Sequence, residues 1–155
     1  MKQGVLFLLS LFSGLCVAAE DKVYLMATLG LGDSTVAKSI LLHEPDVTDL
    51  EGCAEAVRLG QRDNDWLKYH HILNRDKIRG FSVQLQYRCV IGNQNVESWY
   101  DRSRYDHSYL FSVDDQSRLS VRPVASMAAC MGQFRGLSAD DQARSHCAKG
   151  SQQIR

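Results

Sequence analysis

Phe81-Ser82-Val83-Gln84-Leu85-Gln86-Tyr87-Arg88-Cys89-Val90-Ile91 sets Phe81, Val83, Leu85, Tyr87, Cys89 and Ile91 at every second position, with Ser82, Gln84, Gln86 and Arg88 between them. A period of two is the repeat of a pleated strand, whose successive side chains point to opposite faces. The stretch reads as a strand with one face packed and the other wet, the usual condition of an antiparallel sheet. Its neighbours carry the same signal. Before it, Leu67, Tyr69, His71 and Leu73 alternate with Lys68 and His70 across Trp66 to Leu73. After it, Gly92 to Asn95 is a turn, and Tyr109 to Val113 with Leu119 to Val124 forms a hairpin around Asp114-Asp115-Gln116-Ser117.

Further out, Val23, Leu25, Ala27 and Leu29 alternate with Tyr24, Met26 and Thr28 until Gly30 and Gly32 interrupt the run. Thr35 to Leu42 fits two readings: Val36, Ile40 and Leu41 suit a short helix, and Val36, Ile40 and Leu42 suit one face of a strand. We take the strand. Thr48-Asp49-Leu50-Glu51 is a capping box that starts a helix, with Leu50, Cys53, Ala54 and Val57 on one stripe and Gly60 as its stop. From Ser126 the period is again helical, with Met127, Met131 and Phe134 aligned. Ser138 then caps a second helix that opens on Asp140-Asp141 and closes on Lys149-Gly150. The expected fold is α+β: four or five antiparallel strands, one helix packed on the sheet and a C-terminal helical hairpin.

Residues 1–19 carry Lys2, an apolar run from Val5 to Leu15, and Ala18-Ala19 before Glu20. That is the pattern of a cleaved secretory signal, and its apolar run falls well short of the roughly 20 residues that cross a bilayer. Leu15 stands where a lipid anchor at Cys16 would need a small residue. Residues 20–155 then form one exported domain with no membrane-spanning segment. The short charged start and the absence of any N-x-S/T acceptor favour a bacterial periplasm, with secretion second. Removing Lys2 leaves 17 basic against 18 acidic residues, so a nucleic-acid partner is not expected.

Cys53, Cys89, Cys130 and Cys147 remain in the exported part, an even number with no C-x-x-C, and they read as two structural disulfides. Cys130 and Cys147 lie symmetrically about Ser138, at one height in an antiparallel helical hairpin, which favours joining them and leaves Cys53 for Cys89. The adjacent pair His70-His71 would face opposite sides of a strand, and His43, His107 and His146 are scattered. Neither a metal site nor a cofactor is expected from them.

Two stretches carry function. Trp99-Tyr100-Asp101-Arg102-Ser103-Arg104-Tyr105-Asp106-His107 interleaves aromatics with arginines, the residue types that dominate binding hot spots. Trp99, Tyr100, Arg102, Arg104, Tyr105 and His107 are therefore the candidate contact surface of a non-enzymatic interaction module, such as an inhibitor, an immunity-type protein or an assembly partner. Its partner would be an envelope or secreted protein. The alternative starts from Leu29-Gly30-Leu31-Gly32-Asp33-Ser34, which resembles the first block of the GDSL, or SGNH, esterases. The resemblance implies that Ser34 is a nucleophile at the end of the first strand, served by a histidine base and an acid. His146 and Asp141 would fill those roles, five residues apart where the family's last block spaces them by three. A third reading places a small ligand on the concave face of the sheet.

Overall fold

A strand that alternates can bury one face against helices, and it can bury the other only if the sheet curls over it. Both happen in this protein. The computed structural model describes residues 20–31, 37–63, 82–100 and 104–155. Strands β1 (Lys22–Leu31), β2 (Ala37–Leu42), β3 (Val83–Gly92), β4 (His107–Val113), β5 (Leu119–Val124) and β6 (Ser145–Gly150) form one sheet in the order β3-β1-β2-β6-β4-β5. β1 runs antiparallel to β2 and β3, and β4 antiparallel to β5 and β6, while β2 and β6 join the two halves in parallel at Lys38↔Lys149.

The outer strands then approach each other. Ser117, held at φ 61° in the β4–β5 turn, accepts a hydrogen bond from Ile91 N at 2.8 Å, and Ile91 bridges Arg118. The curled sheet encloses Tyr24, Met26, Leu41, Val90, Tyr109, Phe111, Val113, Leu119 and Ala148, to which every strand contributes. Val90 is wholly buried, so the even-numbered face of β3 is concave. That face is packed at Val90 and reaches water at Gln84, Gln86 and Arg88, where the alternation alone expected a wet surface throughout.

Three helices among the described residues cover the convex face: α1 (Leu50–Asp63), α2 (Met127–Arg135) and α3 (Ala139–Arg144). α1 lays Cys53 and Val57 on Val23, Leu25, Tyr87, Cys89 and Ile91. Its cap is Asp49 rather than Thr48, since Asp49 Oδ1 accepts from Gly52 N at 2.7 Å. It also runs past Gly60, and Ala54 is exposed. α2 begins at Ser126, whose hydroxyl accepts from Ala129 N at 3.1 Å, and it packs Met127, Cys130, Met131 and Phe134 over Leu110 and Cys147.

The expected C-terminal helical hairpin is not formed, and the sheet is mixed and six-stranded rather than antiparallel with four or five strands. Ser138 does cap a helix, but α3 stops after six residues and the chain continues as β6. The helical reading rested on the cap and the dipole charges, which act only on the first turn. Beyond it, β2 and β4 together offer a ladder that buries Cys147 and Ala148, and tertiary pairing overrides the local preference. A Cβ at Gly150 would meet the Tyr109 ring at 3.0 Å, so any larger residue there would have to push that ring aside by a few tenths of an ångström.

Cys53 is bonded to Cys89 and Cys130 to Cys147, with Cα atoms 6.0 and 5.9 Å apart. The second bridge ties α2 to the strand beneath it, not one helix to another. The first fastens α1 to β3. Loops of 36 and 17 residues closed in this way contribute roughly 3 to 4 kcal/mol each on the chain-entropy model. The expected strand at Trp66 to Leu73, the expected signal at residues 1–19, Ser34 and Arg102 lie outside the described residues.

Beyond β6 the tail is pinned by Gln152, which is 4 % exposed. Its Oε1 accepts from Leu41 N at 2.7 Å, and its Nε2 donates to Leu41 O at 2.7 Å and to Glu97 O at 2.8 Å. The side-chain amide thus stands in for a peptide group where the β2–β6 ladder is short. Tyr109 Oη donates to Gln152 O at 3.0 Å and accepts from Ile154 N at 3.2 Å.

Candidate functional site

The aromatic and arginine segment is held from both ends. Asn95 and Arg155 exchange backbone hydrogen bonds at 2.9 and 3.0 Å, and Glu97 N donates to Gln153 O at 2.9 Å. Trp99 and Tyr105 then pack on Ala27, Leu29 and Ile40, and Lys38 Nζ sits 4.7 Å from the Tyr105 ring centre. Burial pushes the Tyr105 phenol up to about 12, which keeps it neutral. Between these anchors Tyr100 is 59 % exposed, the large hydrophobic side chain that the described residues leave most open to solvent. Arg104 and His107 are also exposed, and the His107 ring lies 6.0 Å from that of Tyr109. Of the expected contact residues, Trp99 and Tyr105 seal the wall, while Tyr100, Arg104 and His107 face outward.

The second cluster was not visible in the sequence. His146 is on β6, not on a helix, and its side chain enters the concave face. Its Nε2 lies 3.1 Å from Ser39 Oγ, which lies 2.8 Å from Thr28 Oγ1, and its ring stacks on Phe111 at 5.2 Å and 11°. Burial, and then the positive charge of Arg88, lower the imidazole to about 4. Asp141 is elsewhere: on α3, exposed, accepting from Ser138 Oγ at 2.7 Å and from Arg144 at 3.4 Å. The structure brings His146 to Ser39, and through it to Thr28, and it does not bring Asp141 to His146.

This serine–histidine contact has the distance of a catalytic pair but not its electrostatics. In a serine triad a carboxylate stabilises the imidazolium of the base, whereas the charge acting on His146 is the guanidinium of Arg88, which opposes it. Ser39 is 2 % exposed, which bars a substrate from its hydroxyl. The arrangement can donate and accept hydrogen bonds, and it opposes a buried positive charge.

A small apolar pocket between α1 and the sheet is lined by Val23, Leu25, Leu42, Val47 and Cys53, with Glu44 as its one ionisable group. No group of three His, Cys, Asp or Glu side chains among the described residues converges enough to hold a metal ion. No protein-family model, curated protein or solved structure matches the chain. Two disulfides, and the absence among the described residues of a helix long and apolar enough to cross a membrane, are compatible with an exported protein.

Proposed function

We propose that the protein is an exported interaction module, cleaved after Ala19 and working in a bacterial periplasm, which binds another envelope or secreted protein through Tyr100, Arg104 and His107. The presentation of Tyr100 carries this reading. An aromatic side chain that is mostly solvated, on a segment pinned by Trp99, Tyr105 and the C-terminal tail, spends folding energy on a surface that the fold itself does not use. Chemical crosslinking of the folded, tagged protein in native envelopes, beside a Tyr100→Ala/Arg104→Ala variant, tests it. A stoichiometric partner lost in the variant is the expected result, and a partner retained by the variant removes this surface from consideration.

The esterase alternative would need a base other than His146, whose hydrogen bond goes to Ser39. A serine-directed fluorophosphonate probe applied to the wild type and to Ser34→Ala decides it, since only a nucleophilic Ser34 labels in one and not in the other.

A further inference from the structure

The concave face is filled with apolar side chains over most of its area, but one part is polar. Register places Gln86, Thr28 and Ser39 side by side across β3, β1 and β2, and Ser39 passes the row on to His146 of β6. Arg88 lies two residues from Gln86 on the same face, beside Met26. Four strands thus converge hydroxyl, amide and imidazole groups with one guanidinium, and nothing in the set carries negative charge. Arg88 forms no ion pair with a carboxylate among the described residues, whereas Arg58, Arg118 and Arg144 each do.

We propose that this polar row is a binding site for a small oxyanion, a carboxylate or a phosphate group, held by Arg88 with the Thr28–Ser39–His146 chain behind it. The guanidinium offers the forked donor geometry that such anions take. When Nε2 of His146 donates to Ser39 and Ser39 to Thr28, the Thr28 hydroxyl proton is left to point at the ligand. The ligand is small because Met26, Leu41, Val90 and Phe111 fill the face beyond the row. An anion there also reverses the field at His146. With Arg88 alone the imidazole is held neutral; with a negative charge beside it the imidazolium is favoured, so binding and proton uptake are linked. From β2 and β4 the ring meets Ser39 and Phe111, with Thr28 of β1 behind Ser39, none of which titrates in the acid range, and Arg88 of β3 is the charged group acting on it.

The test is proton NMR of the His146 imidazole in the folded, disulfide-bonded protein at pH 6, titrated with acetate or inorganic phosphate against chloride of equal ionic strength. A saturable shift with a millimolar dissociation constant is expected, weakened about tenfold or more in Arg88→Gln and unchanged in Lys149→Gln, whose side chain lies on the convex face. At saturation the His146 titration midpoint rises by about one pH unit or more. Saturation by acetate alone assigns a carboxylate ligand, and by phosphate alone a phosphoryl one. A shift no different from that in chloride, or one that Arg88→Gln leaves intact, overturns the proposal.

Discussion

Two polar side chains are drawn into the curled sheet, Gln152 at the tail and His146 on β6, and they differ in how fully they are answered. Gln152 meets three backbone groups at 2.7 to 2.8 Å and carries no charge at any pH. His146 meets one hydroxyl, lies against an aromatic ring and has a cation for a neighbour. The first closes a gap in the sheet that the chain could not close with backbone alone. The second lies in the field of a positive charge. A buried polar group that satisfies the backbone is architecture, whereas one that leaves charge unbalanced marks a place where something else can bind.

Gln152→Leu attacks the architectural side. It removes three hydrogen bonds and strands Leu41 N, Leu41 O and Glu97 O, so chemical denaturation of the oxidised protein is expected to show a loss of about 3 to 5 kcal/mol. A loss below about 1 kcal/mol would show that water answers these groups and would remove the contrast with His146.

Acid attacks the other side. The folded imidazole, at about 4, lies below its usual 6.5, so the folded state binds its proton less readily than the unfolded state does. That stability is fully present above pH 6.5, falls as pH drops from there through about 4, and amounts to at most about 3 kcal/mol. His146→Gln keeps a hydrogen-bonding group and cannot titrate. Stability measured at pH 7 and pH 4.5 is expected to fall less in the variant than in the wild type, and equal falls would contradict the burial of His146.

Ser39→Ala is the intermediate case. It leaves Thr28 Oγ1 and His146 Nε2 without their shared partner, and thermal unfolding is expected to report about 1 to 2 kcal/mol. An unchanged midpoint would mean that the row is already hydrated. Tyr100→Ala is the smallest, within about 0.5 kcal/mol, because the side chain is mostly in water already. A larger loss would make Tyr100 part of the wall with Trp99 and Tyr105, and the interaction surface would lose its centre.

The convex face was more legible than the concave one. Val23, Leu25 and Leu29, with Leu85 and Cys89, follow the period of two that the backbone imposes, and Cys53 follows the helical stripe that covers them. The pairs Cys53–Cys89 and Cys130–Cys147 are the expected ones, but the reason given for them does not hold: the second closes between a helix and a strand, not across a helical hairpin, and the first was only what that pairing left over. Ser39, Thr28 and Arg88 gave no signal of their own. In β2 the hydroxyl of Ser39 is one polar residue between Lys38 and Ile40, and only the register with Thr28 and the approach of β6 give it a partner. Gln152 is equally mute in the sequence, because a glutamine near a chain end normally reads as a solvated one.

Local periodicity and capping chemistry therefore located β1, β3, β4, β5, α1 and α2 to within a few residues, since they act over one to four residues and are written in consecutive side chains. The sequence also supplied an even set of cysteines and a segment rich in hot-spot residue types. Tertiary structure alone decided that Ser145–Gly150 would leave its helix for the gap between β2 and β4, that the sheet would curl until Ile91 met Ser117, and that His146 would meet Ser39 rather than Asp141. Those outcomes depend on contacts between residues far apart in the chain, made favourable by burying Ala148, Phe111 and Val90 together, and no window along the sequence contains them.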